Sequence, residues 1–370
     1  MSAPAACPEC LRRAWLLRSL AGFIERRASD DPGSRSPELL ALDDERLARA
    51  VAPKDHRRIR AAVERVGESR MRTELEAAGC WACCVHDDRY PAALRDAADA
   101  PRALLCRGDP QTLAGLERDA AVTVVGARRA SGYGRQVARE LGHDLAVAGI
   151  VVVSGMAYGI DGAAHRGAIE VGSTVAVLGC GPDVAYPAAH RALHRRIGEA
   201  GLVISELAPG TAPRRWMFPA RNRIMAALAG MTVVVEGASR SGSLITARLA
   251  DDLGRDVGAV PGPITSRVSA GPNELLSGGA HVIRGAQDVL DVMLGPGVAR
   301  VRRTGAPLDP ELAAALAALE SGDGTCDALA SELAVPGQTA AVMLARLELL
   351  GYAECSTFGL YSRTLLEAPS

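Results

Sequence analysis

Residues 121–155 read AVTVVGARRASGYGRQVARELGHDLAVAGIVVVSG, and this stretch decides the fold. A short valine-rich run stands at each end, and the residues between the two runs are long enough for one helix. Strands that are apolar along their whole length are covered on both faces, which is typical of parallel sheets built from right-handed β-α-β units. The pattern recurs along the chain. It predicts six core strands, in the runs 121–126, 150–155, 174–179, 202–206, 232–237 and 256–262.

We therefore predict an α/β protein with a doubly wound Rossmann-like core over residues 119–295. The arginine- and alanine-rich residues 1–88 indicate a small helical domain, and residues 89–118 a structured lead-in with Pro, Asp and Gly at turn positions. Residues 296–307 are predicted to be a linker. Three helical segments and a possible hairpin over 308–365 are typical of a winged helix. Eight acidic residues against two arginines there favour protein contact over DNA contact.

The composition excludes several classes of protein. With 370 residues, 48% hydrophobic and 23% charged, the chain is expected to form about two or three globular domains. The net charge of −1 means that a polyanion must be bound by a local patch. Lys54 is the only lysine and has no glycine-rich loop around it, which excludes a P-loop lysine, a kinase-type phosphate lysine and a Schiff-base lysine in such a motif.

The same inspection predicts a soluble, cytoplasmic protein with no membrane partner. No segment reaches the roughly 18 apolar residues of a membrane span, and arginines interrupt the apolar amino-terminal run that a signal peptide would need. The nine cysteines are odd in number and scattered, unlike the pairs of a secreted disulfide scaffold.

The loops that follow the predicted strands are rich in glycine, serine and arginine. None contains a complete G-x-G-x-x-G fingerprint, so no nicotinamide or flavin cofactor is predicted. Backbone N–H groups at helix starts, hydroxyl groups and arginines suit a phosphate that is bound and not hydrolysed. The densest basic segment is 208–223, where no acidic residue separates Arg214, Arg215, Arg221 and Arg223.

Aromatic residues concentrate in the same loops, although the whole chain has only twelve. Arginines interleaved with aromatic rings are what single-stranded nucleic acid requires, because phosphates contact the charges and unpaired bases stack on the rings. The alternatives are a solvated basic loop and rings that only brace the loops. The five rings are Tyr133, Tyr158, Tyr186, Trp216 and Phe218.

Acid–base chemistry is a second hypothesis, with Asp161, His165, Asp183 and Glu206 as candidates. Asp161 and His165 are four residues apart at the start of a predicted helix and could face one site. We favour the interpretation that Asp161 caps the helix and His165 packs locally. No G-x-S-x-G motif is present, so we predict no catalytic residue and not an enzyme.

Two Cys-x-x-Cys pairs, Cys7 with Cys10 and Cys80 with Cys83, are weak candidates for a zinc site. Cys80 and Cys83 stand in CWACCVHDD, which has the pattern of a partly buried strand and would make an awkward zinc knuckle. We therefore favour buried or free thiols and predict no metal.

Several long motifs in fixed order, from Asp87 to about Asp291, closely resemble the DNA-processing protein A (DprA/Smf) family. They include VGARRASGYG, SGMAYGIDGAAHRGA, FPARNRIMAAL and VVVEGASRSGSLITARLADDLGRDVGAVPG. The resemblance implies a sterile-alpha-motif-like (SAM-like) helical domain, a Rossmann core and a winged helix. It further implies a cytoplasmic protein that binds single-stranded DNA in a basic pocket, protects it, forms a homodimer through the core and loads RecA during natural transformation.

The resemblance, applied by motif position, places Arg128, Ser131, Gly132, Arg221, Arg223, Ser241, Gly242 and Ser243 in that pocket. We extend this set with further arginines, aromatic residues and polar residues of the same loops. The predicted DNA-binding residues are Arg128, Ser131, Gly132, Tyr133, Ser154, Gly155, Arg214, Arg215, Trp216, Phe218, Arg221, Asn222, Arg223, Arg240, Ser241, Gly242, Ser243 and Thr246.

The core also looks like the nucleotide phosphoribohydrolases, with Asp161 or Glu206 as acid or base, and this is the alternative function. Those enzymes are expected to have a P-G-G-x-G-T-x-x-E loop. The corresponding stretch here reads EGASRSGSLITA and has no counterpart of the final glutamate.

Overall fold

The computed structural model describes residues 6–30, 39–299, 303–321, 324–356, 359–364 and 366–367. The chain forms two compact units, Met1–Ala299 and Arg300–Ser370. Residues 1–5 and 31–38 of the predicted helical domain, 300–302 of the predicted linker, and 322–323, 357–358 and 365 of the predicted winged helix lie outside the described residues. The finer domain boundaries predicted above stay predictions.

A nine-stranded sheet forms the centre of the first unit, in the order β1-β2-β6-β5-β4-β3-β7-β8-β9. The six predicted core strands are confirmed as β3 to β8, and each begins within one residue of its predicted run. Two further strands, β1 and β2, extend the sheet beyond the predicted core range and pair antiparallel, β2 also with β6. The strands are β1 Trp81–Cys84, β2 Ala103–Gly108, β3 Ala121–Val125, β4 Val151–Ser154, β5 Thr174–Val177, β6 Leu202–Ser205, β7 Met231–Val234, β8 Asp256–Ala259 and β9 His281–Val282.

The seven strands from β6 to β9 in that order are parallel, which confirms the doubly wound α/β class. Every residue of β3, β5, β6 and β7 is buried, as their unbroken apolar runs predict. From β3 the chain adds β4, β5 and β6 on one side and then returns to place β7 on the other. The strand order therefore reverses between β3 and β7, and the carboxyl ends of these strands are where ligands of such sheets are expected.

In the described part of the first unit, α-helices surround the sheet or precede it. The first three form the helical part at the amino terminus, where α1 contacts both α2 and α3. They are α1 Pro8–Asp30, α2 Asp44–Val51, α3 His56–Ala77, α4 Ala92–Arg95, α5 Pro110–Ala114, α6 Gly132–Val147, α7 Ile160–Ala168, α8 Arg191–Ala200, α9 Met217–Leu228, α10 Gly242–Asp252, α11 Ala270–Ser277 and α12 Ala286–Leu294.

The helical part at the amino terminus shares a hydrophobic core with one end of the sheet. Leu17, Leu20 and Ile24 of α1 belong to the same buried cluster as Trp216 and Met217, which precede and begin α9. The indole Nε1 of Trp216 donates to the carbonyl oxygen of Ala21 at 3.1 Å. This packing fixes the start of α9, which carries the arginines that the sequence analysis singled out.

The described residues of the second unit form three helices and short strands, the element content that the sequence predicts there. Among the described residues no single helix is both long and apolar enough to cross a membrane, although α14 and α15, bent by 111°, together meet that test by length and composition. Strands β11 and β12 pair antiparallel, and β10 and β13 pair parallel. The elements are β10 Arg303–Thr304, α13 Pro310–Ser321, α14 Cys326–Glu332, α15 Gly337–Leu349, β11 Ala353–Cys355, β12 Tyr361–Arg363 and β13 Leu366–Glu367.

Candidate nucleic-acid interface

A pocket of about 110 Å³ lies beyond the carboxyl ends of β4 and β5, and we refer to it as the arginine pocket. The loops after β3, β4 and β5 and the first turns of α9 contribute its walls. The lining residues are Arg128, Gly155, Ala157, Tyr158, Leu178, Gly179, Cys180, Tyr186, Pro187, Phe218 and Arg221. Four residues of the predicted set, Arg128, Gly155, Phe218 and Arg221, are therefore brought together in one place.

Arg221 is 5% exposed and has an unusual environment for a buried cation. Its Nη1 donates to the Sδ atom of Met225 at 2.8 Å, and its Nε–H has no hydrogen-bond acceptor. No carboxylate oxygen of the described residues lies within ion-pair distance of this guanidinium. Burial lowers the pKa of Arg221, an effect that the nearby Asp161 opposes. The pocket therefore holds a buried positive charge whose anionic partner is not supplied by the described part of the chain.

Gly155 makes room for this guanidinium. A side chain at position 155 would overlap the terminal nitrogens of Arg221, so only glycine allows the loop after β4 to lie against them. The N–H groups of Gly155 and Ala157 donate to Oδ2 of Asp161, at 3.2 and 3.3 Å, which holds the loop in this position. Gly155 thus contributes to the pocket because the absence of a side chain leaves space for the Arg221 guanidinium.

Arg223, two residues further along α9, has the opposite environment. Its guanidinium binds the two carboxylate oxygens of Glu206 at 2.9 and 2.7 Å and lies 3.4 Å from a carboxylate oxygen of Asp99. The side chains of Arg223 and Glu206 are 4% and 8% exposed. Because this charge is already neutralised inside the protein, the geometry favours a structural role for Arg223 over the predicted contact with DNA.

Aromatic rings form the outer wall of the pocket. The guanidinium carbon of the exposed Arg128 lies 5.3 Å from the centre of the Phe218 ring, a cation–π contact. The Tyr186 ring lies 5.3 Å from Phe218 at an interplanar angle of 33°. Tyr158, 48% exposed, packs edge-on against His190. An exposed cation and three rings therefore surround the entrance that leads to Arg221.

The helix start after β3 is occupied by the protein itself. Glu236, buried at the end of β7, accepts hydrogen bonds from the backbone N–H of Ser131 at 2.9 Å and from its hydroxyl at 2.6 Å. The Ser131 hydroxyl in turn accepts from the N–H of Gly134 and caps α6. A carboxylate therefore stands where the sequence analysis expected a phosphate beside Ser131 and Gly132.

The start of α10 is also largely satisfied internally. The hydroxyl groups of Ser241 and Ser243 lie 2.8 Å apart, and the Ser241 hydroxyl accepts from the N–H of Ser243 at 3.4 Å. Asn222 donates to the carbonyl oxygen of Gly242 at 3.4 Å, and Thr246 is 1% exposed. Gly242 and the neighbouring Arg240 are exposed. These last two residues are the members of this group that a ligand can reach.

The remaining predicted residues lie apart from the pocket walls. Arg214 and Arg215 are exposed beside α1, where Glu25 accepts from the N–H of Arg215 at 3.4 Å and Trp216 is buried. The buried Ser154 donates to the carbonyl oxygen of Val124 at 2.6 Å. The burial of Trp216 and Ser154 favours a packing role and argues against their predicted contact with DNA. The half-exposed Tyr133 donates to the carbonyl oxygen of Pro261 at 3.3 Å.

Comparison with known proteins identifies the family of the chain. The family model of the DNA recombination-mediator protein A matches residues 81–294, more than half of the chain. The chain belongs to this family. A curated relative from Mycobacterium tuberculosis, named for the DNA processing protein DprA, is 45% identical over 243 residues, or 64% of this chain and 62% of the relative. The match thus spans less than two thirds of that relative's length.

Solved structures agree with this assignment. DNA processing protein A from Streptococcus pneumoniae matches with a TM-score of 0.60 and 33% identity, over 76% of this chain and 95% of that protein. DNA processing protein A from Helicobacter pylori, whose structure is described for its single-stranded DNA binding mode, matches with a TM-score of 0.51 and 32% identity, over 55% of this chain and 92% of that protein. The resemblance inferred from the sequence motifs is thereby confirmed.

The alternative enzymatic function loses its candidate residues in this member of the recombination-mediator family. Glu206 is engaged with Arg223, and Asp161 accepts two backbone N–H groups. Burial raises the pKa of Asp161, against the opposing effects of Arg221 and these N–H groups. His165 is fully buried, its Nδ1 lies 2.8 Å from the hydroxyl of Thr174, and burial lowers its pKa to about 3. Asp183 accepts from the N–H of Gly210 at 2.8 Å.

Glu236 was not among the predicted site residues, and the two predicted cysteine pairs do not lie together. Glu236 had a signal, because it is the one acidic residue in the otherwise apolar predicted run 232–237, which borders the reversal in strand order. Cys80 and Cys83 do not meet the first cysteine pair. Cys84 and His86 do, and they approach Cys7 and Cys10 instead. These last four side chains lie outside the arginine pocket.

Proposed function

We propose that this chain binds single-stranded DNA in the arginine pocket, protects it and loads RecA onto it during natural transformation or recombination. Arg221 carries the proposal, as a buried cation without a carboxylate partner in the wall of an open pocket. Burying an unpaired charge is costly, and a phosphate of a bound strand would supply the missing anion through charge-assisted hydrogen bonds. Membership of the recombination-mediator family supports a nucleic acid as the ligand.

The aromatic wall favours a single strand over a duplex. Unpaired bases present their faces to aromatic side chains, whereas a duplex keeps these faces stacked inside. Phe218 and Tyr186 stand beside the exposed guanidinium of Arg128, so a phosphate and an adjacent base can be bound together. The relative from Helicobacter pylori, which matches this chain at 32% identity, is described by its single-stranded DNA binding mode.

Fluorescence anisotropy of labelled single-stranded and duplex DNA of equal length, titrated with the full chain at two salt concentrations, tests the proposal. We expect tighter, salt-sensitive binding of the single strand. Arg221→Met should weaken it by about ten- to a hundredfold, since a hydrogen bond to a charged group contributes about 1.5–3 kcal/mol. Arg128→Ala should weaken binding less, because its side chain stays in water.

Arg284→Ala is the matched control. Arg284 is an exposed arginine after β9, at the far edge of the sheet, and already pairs with Asp288 at 2.7 Å. We expect binding close to wild type. Equal affinities of the wild-type, Arg221→Met and Arg284→Ala proteins for the single strand would overturn the assignment of the pocket. Equal affinity of the wild-type protein for duplex and single strand would overturn the assignment of the ligand.

We further propose that the chain forms a homodimer through its Rossmann-like core, as the family resemblance implies. Apolar side chains exposed on the elements around β8 and β9 support a contact there. Ile264 is 94% exposed, and Val282 and Ile245 are about half exposed. Light scattering coupled to size-exclusion chromatography should give twice the chain mass of 38.5 kDa. A constant monomer mass at all protein concentrations would contradict this proposal and leave the DNA proposal standing.

The last part of the proposal is that the chain transfers the bound strand to RecA. We place this step in the reducing cytoplasm, because the cysteines are odd in number and scattered. Residues 308–365 of the second unit carry eight acidic residues against two arginines, and this charge, which is unsuited to phosphate, supports a protein contact. RecA filament formation on a coated single strand should accelerate in the presence of the chain. Arg221→Met, tested at a concentration where it leaves the strand largely unbound, should give no acceleration, and an accelerated reaction there would contradict a direct transfer of the strand.

A further inference from the structure

Four potential metal ligands from two distant segments meet beside the helical part of the first unit. Cys7 and Cys10 flank the start of α1, Cys84 ends β1, and His86 lies in the turn that follows. Their three Sγ atoms and one imidazole nitrogen all lie within 4.8 Å of one another. We call these four residues the thiol cluster. It is separate from the arginine pocket and independent of the proposed function.

The distances in the thiol cluster match those of a tetrahedral zinc site. The Nδ1 atom of His86 lies 3.4, 3.5 and 4.0 Å from the Sγ atoms of Cys7, Cys10 and Cys84. With Zn–S near 2.3 Å and Zn–N near 2.0–2.1 Å, tetrahedral angles separate sulfur and nitrogen by about 3.6 Å. Three thiolates and one imidazole are a common ligand set of structural zinc, and the Cys-x-x-Cys spacing is the usual one.

The surrounding backbone holds these ligands in place. The N–H of Ala6 donates to the carbonyl oxygen of Ala82 at 3.0 Å, which attaches the segment before α1 to β1. The N–H of Cys7 donates to Sγ of Cys84 at 3.4 Å, and Arg72 donates to the carbonyl oxygen of Ala6 at 3.0 Å. Hydrogen bonds to a sulfur ligand and its neighbours are the supporting contacts that orient metal ligands. The cluster is thus held in place by backbone contacts of its segments and by one hydrogen bond from a backbone N–H to the Cys84 sulfur.

We propose that the thiol cluster binds one zinc ion, which joins α1 to the edge strand β1. Four protein ligands leave no open coordination position, so the role is structural and not catalytic. The alpha helix α1 packs against the segment that leads into α9, and the metal would fix the position of this helix relative to the sheet. Reduced thiols at Cys7 and Cys10 are required, and a disulfide between them is the competing state.

The metal content of the full chain tests the proposal. Protein isolated without chelators from metal-replete cells should contain one equivalent of zinc per chain by elemental analysis. Exchange for Co²⁺ should give the visible bands of a tetrahedral site and a thiolate-to-cobalt charge-transfer band. Protein that contains no zinc and gives no cobalt bands after reduction and zinc addition would overturn the proposal, as would a disulfide between Cys7 and Cys10 in protein isolated under anaerobic conditions.

Substitutions then locate the ion. Cys7→Ser and His86→Ala should each lose the bound equivalent. Cys83→Ala is the matched control, because Cys83 is also buried and adjacent to Cys84 but lies in the core cluster on the other face of β1. It should retain the full equivalent. Retention of one equivalent by both cluster variants, or its loss in Cys83→Ala alone, would place the metal elsewhere and refute the assignment.

A measurement on the wild-type chain decides the matter even where a ligand variant does not fold. Cys7 is half-buried, so alkylation followed by mass spectrometry can report on it. Zinc should protect Cys7 and Cys10 from alkylation, and chelation should expose both, while the labelling of the exposed Cys355 stays constant. The same labelling of Cys7 with and without chelator would contradict zinc binding.

Discussion

The two arginines of α9 should respond oppositely when their charge is removed. Arg223→Met leaves Glu206 buried without its cation, and breaking a buried ion pair in this way costs about 3–5 kcal/mol of folding free energy. We expect a cost at the upper end of this range, because two short hydrogen bonds join the pair and its side chains are only 4% and 8% exposed. Arg221→Met removes a charge that no carboxylate neutralises at close range. Its unfolding free energy should therefore stay within about 1 kcal/mol of wild type.

Asp161 accounts for the small residual effect expected at position 221. Its carboxylate keeps both backbone N–H donors when Arg221 is replaced, but it loses a favourable positive neighbour. The lost attraction between the two side chains lowers the unfolding free energy, and this offsets part of the stability gained because a guanidinium is no longer buried. Methionine also preserves much of the side-chain volume, so no large cavity forms beside Gly155.

Urea unfolding followed by tryptophan fluorescence measures both variants. Trp15, Trp81 and Trp216 all lie in the first unit, so unfolding of the second unit does not contribute to the signal. Adding Glu206→Gln to Arg223→Met should recover most of the lost stability, because a neutral amide replaces the unpaired carboxylate. Equal losses in the two arginine variants, or no recovery in the double variant, would refute the assignment of one paired and one unpaired charge.

Three further predictions concern the pocket and the core. Arg128→Ala should reduce the slope of log affinity against log salt by about 0.7, the value for one phosphate contact on a single strand, as read from anisotropy titrations; an unchanged slope would mean that Arg128 contacts no phosphate. Phe218→Ala should cost about 1–3 kcal/mol of binding to single strands through lost stacking, whereas Phe218→Trp should retain it; equal loss in both would argue against stacking. Burial lowers the pKa of His165 to about 3, whereas the pKa in the unfolded chain is near 6.5. The neutral buried ring therefore contributes its full share of the unfolding free energy above pH 6.5, and this free energy should fall by about 2 kcal/mol between that pH and pH 5. His165→Asn should flatten this acid limb in urea titrations, and a limb of unchanged slope would contradict the assignment.

The sequence predicts the central sheet well because its valine runs are local signals. The place of β1 and β2 in the sheet is harder to predict, because β1 joins the sheet only through β2, and the pairing of β2 with β6 joins residues about 100 positions apart that no local pattern links. Arg221 and Arg223 look equivalent in the motif ARNR. Two positions on a helix differ by about 200°, so the two side chains point to opposite sides and meet different partners. That difference follows from helix geometry, but the identity of the partners requires the tertiary structure.

The alternation of side chains along a strand explains why Cys84, and not Cys80 or Cys83, lies beside the first cysteine pair. Successive side chains of β1 point to opposite faces, so Cys84 and not Cys83 shares a face with Ala82. The burial clusters agree, since Cys84 packs with α1 and Cys83 packs in the core on the other face. Cys80 also lies on the α1 side, but four residues of strand separate it from Cys84 by about 13 Å. The Cys-x-x-Cys spacing suggested a pair where the alternation of the strand shows two unrelated thiols.

Glu236 explains why we propose a ligand site beyond β4 and β5 and not in the crevice between β3 and β7, where the strand order reverses. The crevice between β3 and β7 is the expected position for a phosphate, because a helix amino terminus points into it. In this fold the Glu236 carboxylate accepts the N–H and hydroxyl of Ser131 there, and a side chain at Gly134 would overlap it. A fixed negative charge repels a phosphate and already satisfies the donors. The uncompensated positive charge is found instead at Arg221, beyond β4 and β5, and this displacement is the reason that we propose the pocket surrounded by aromatic rings as the binding site of an anionic strand.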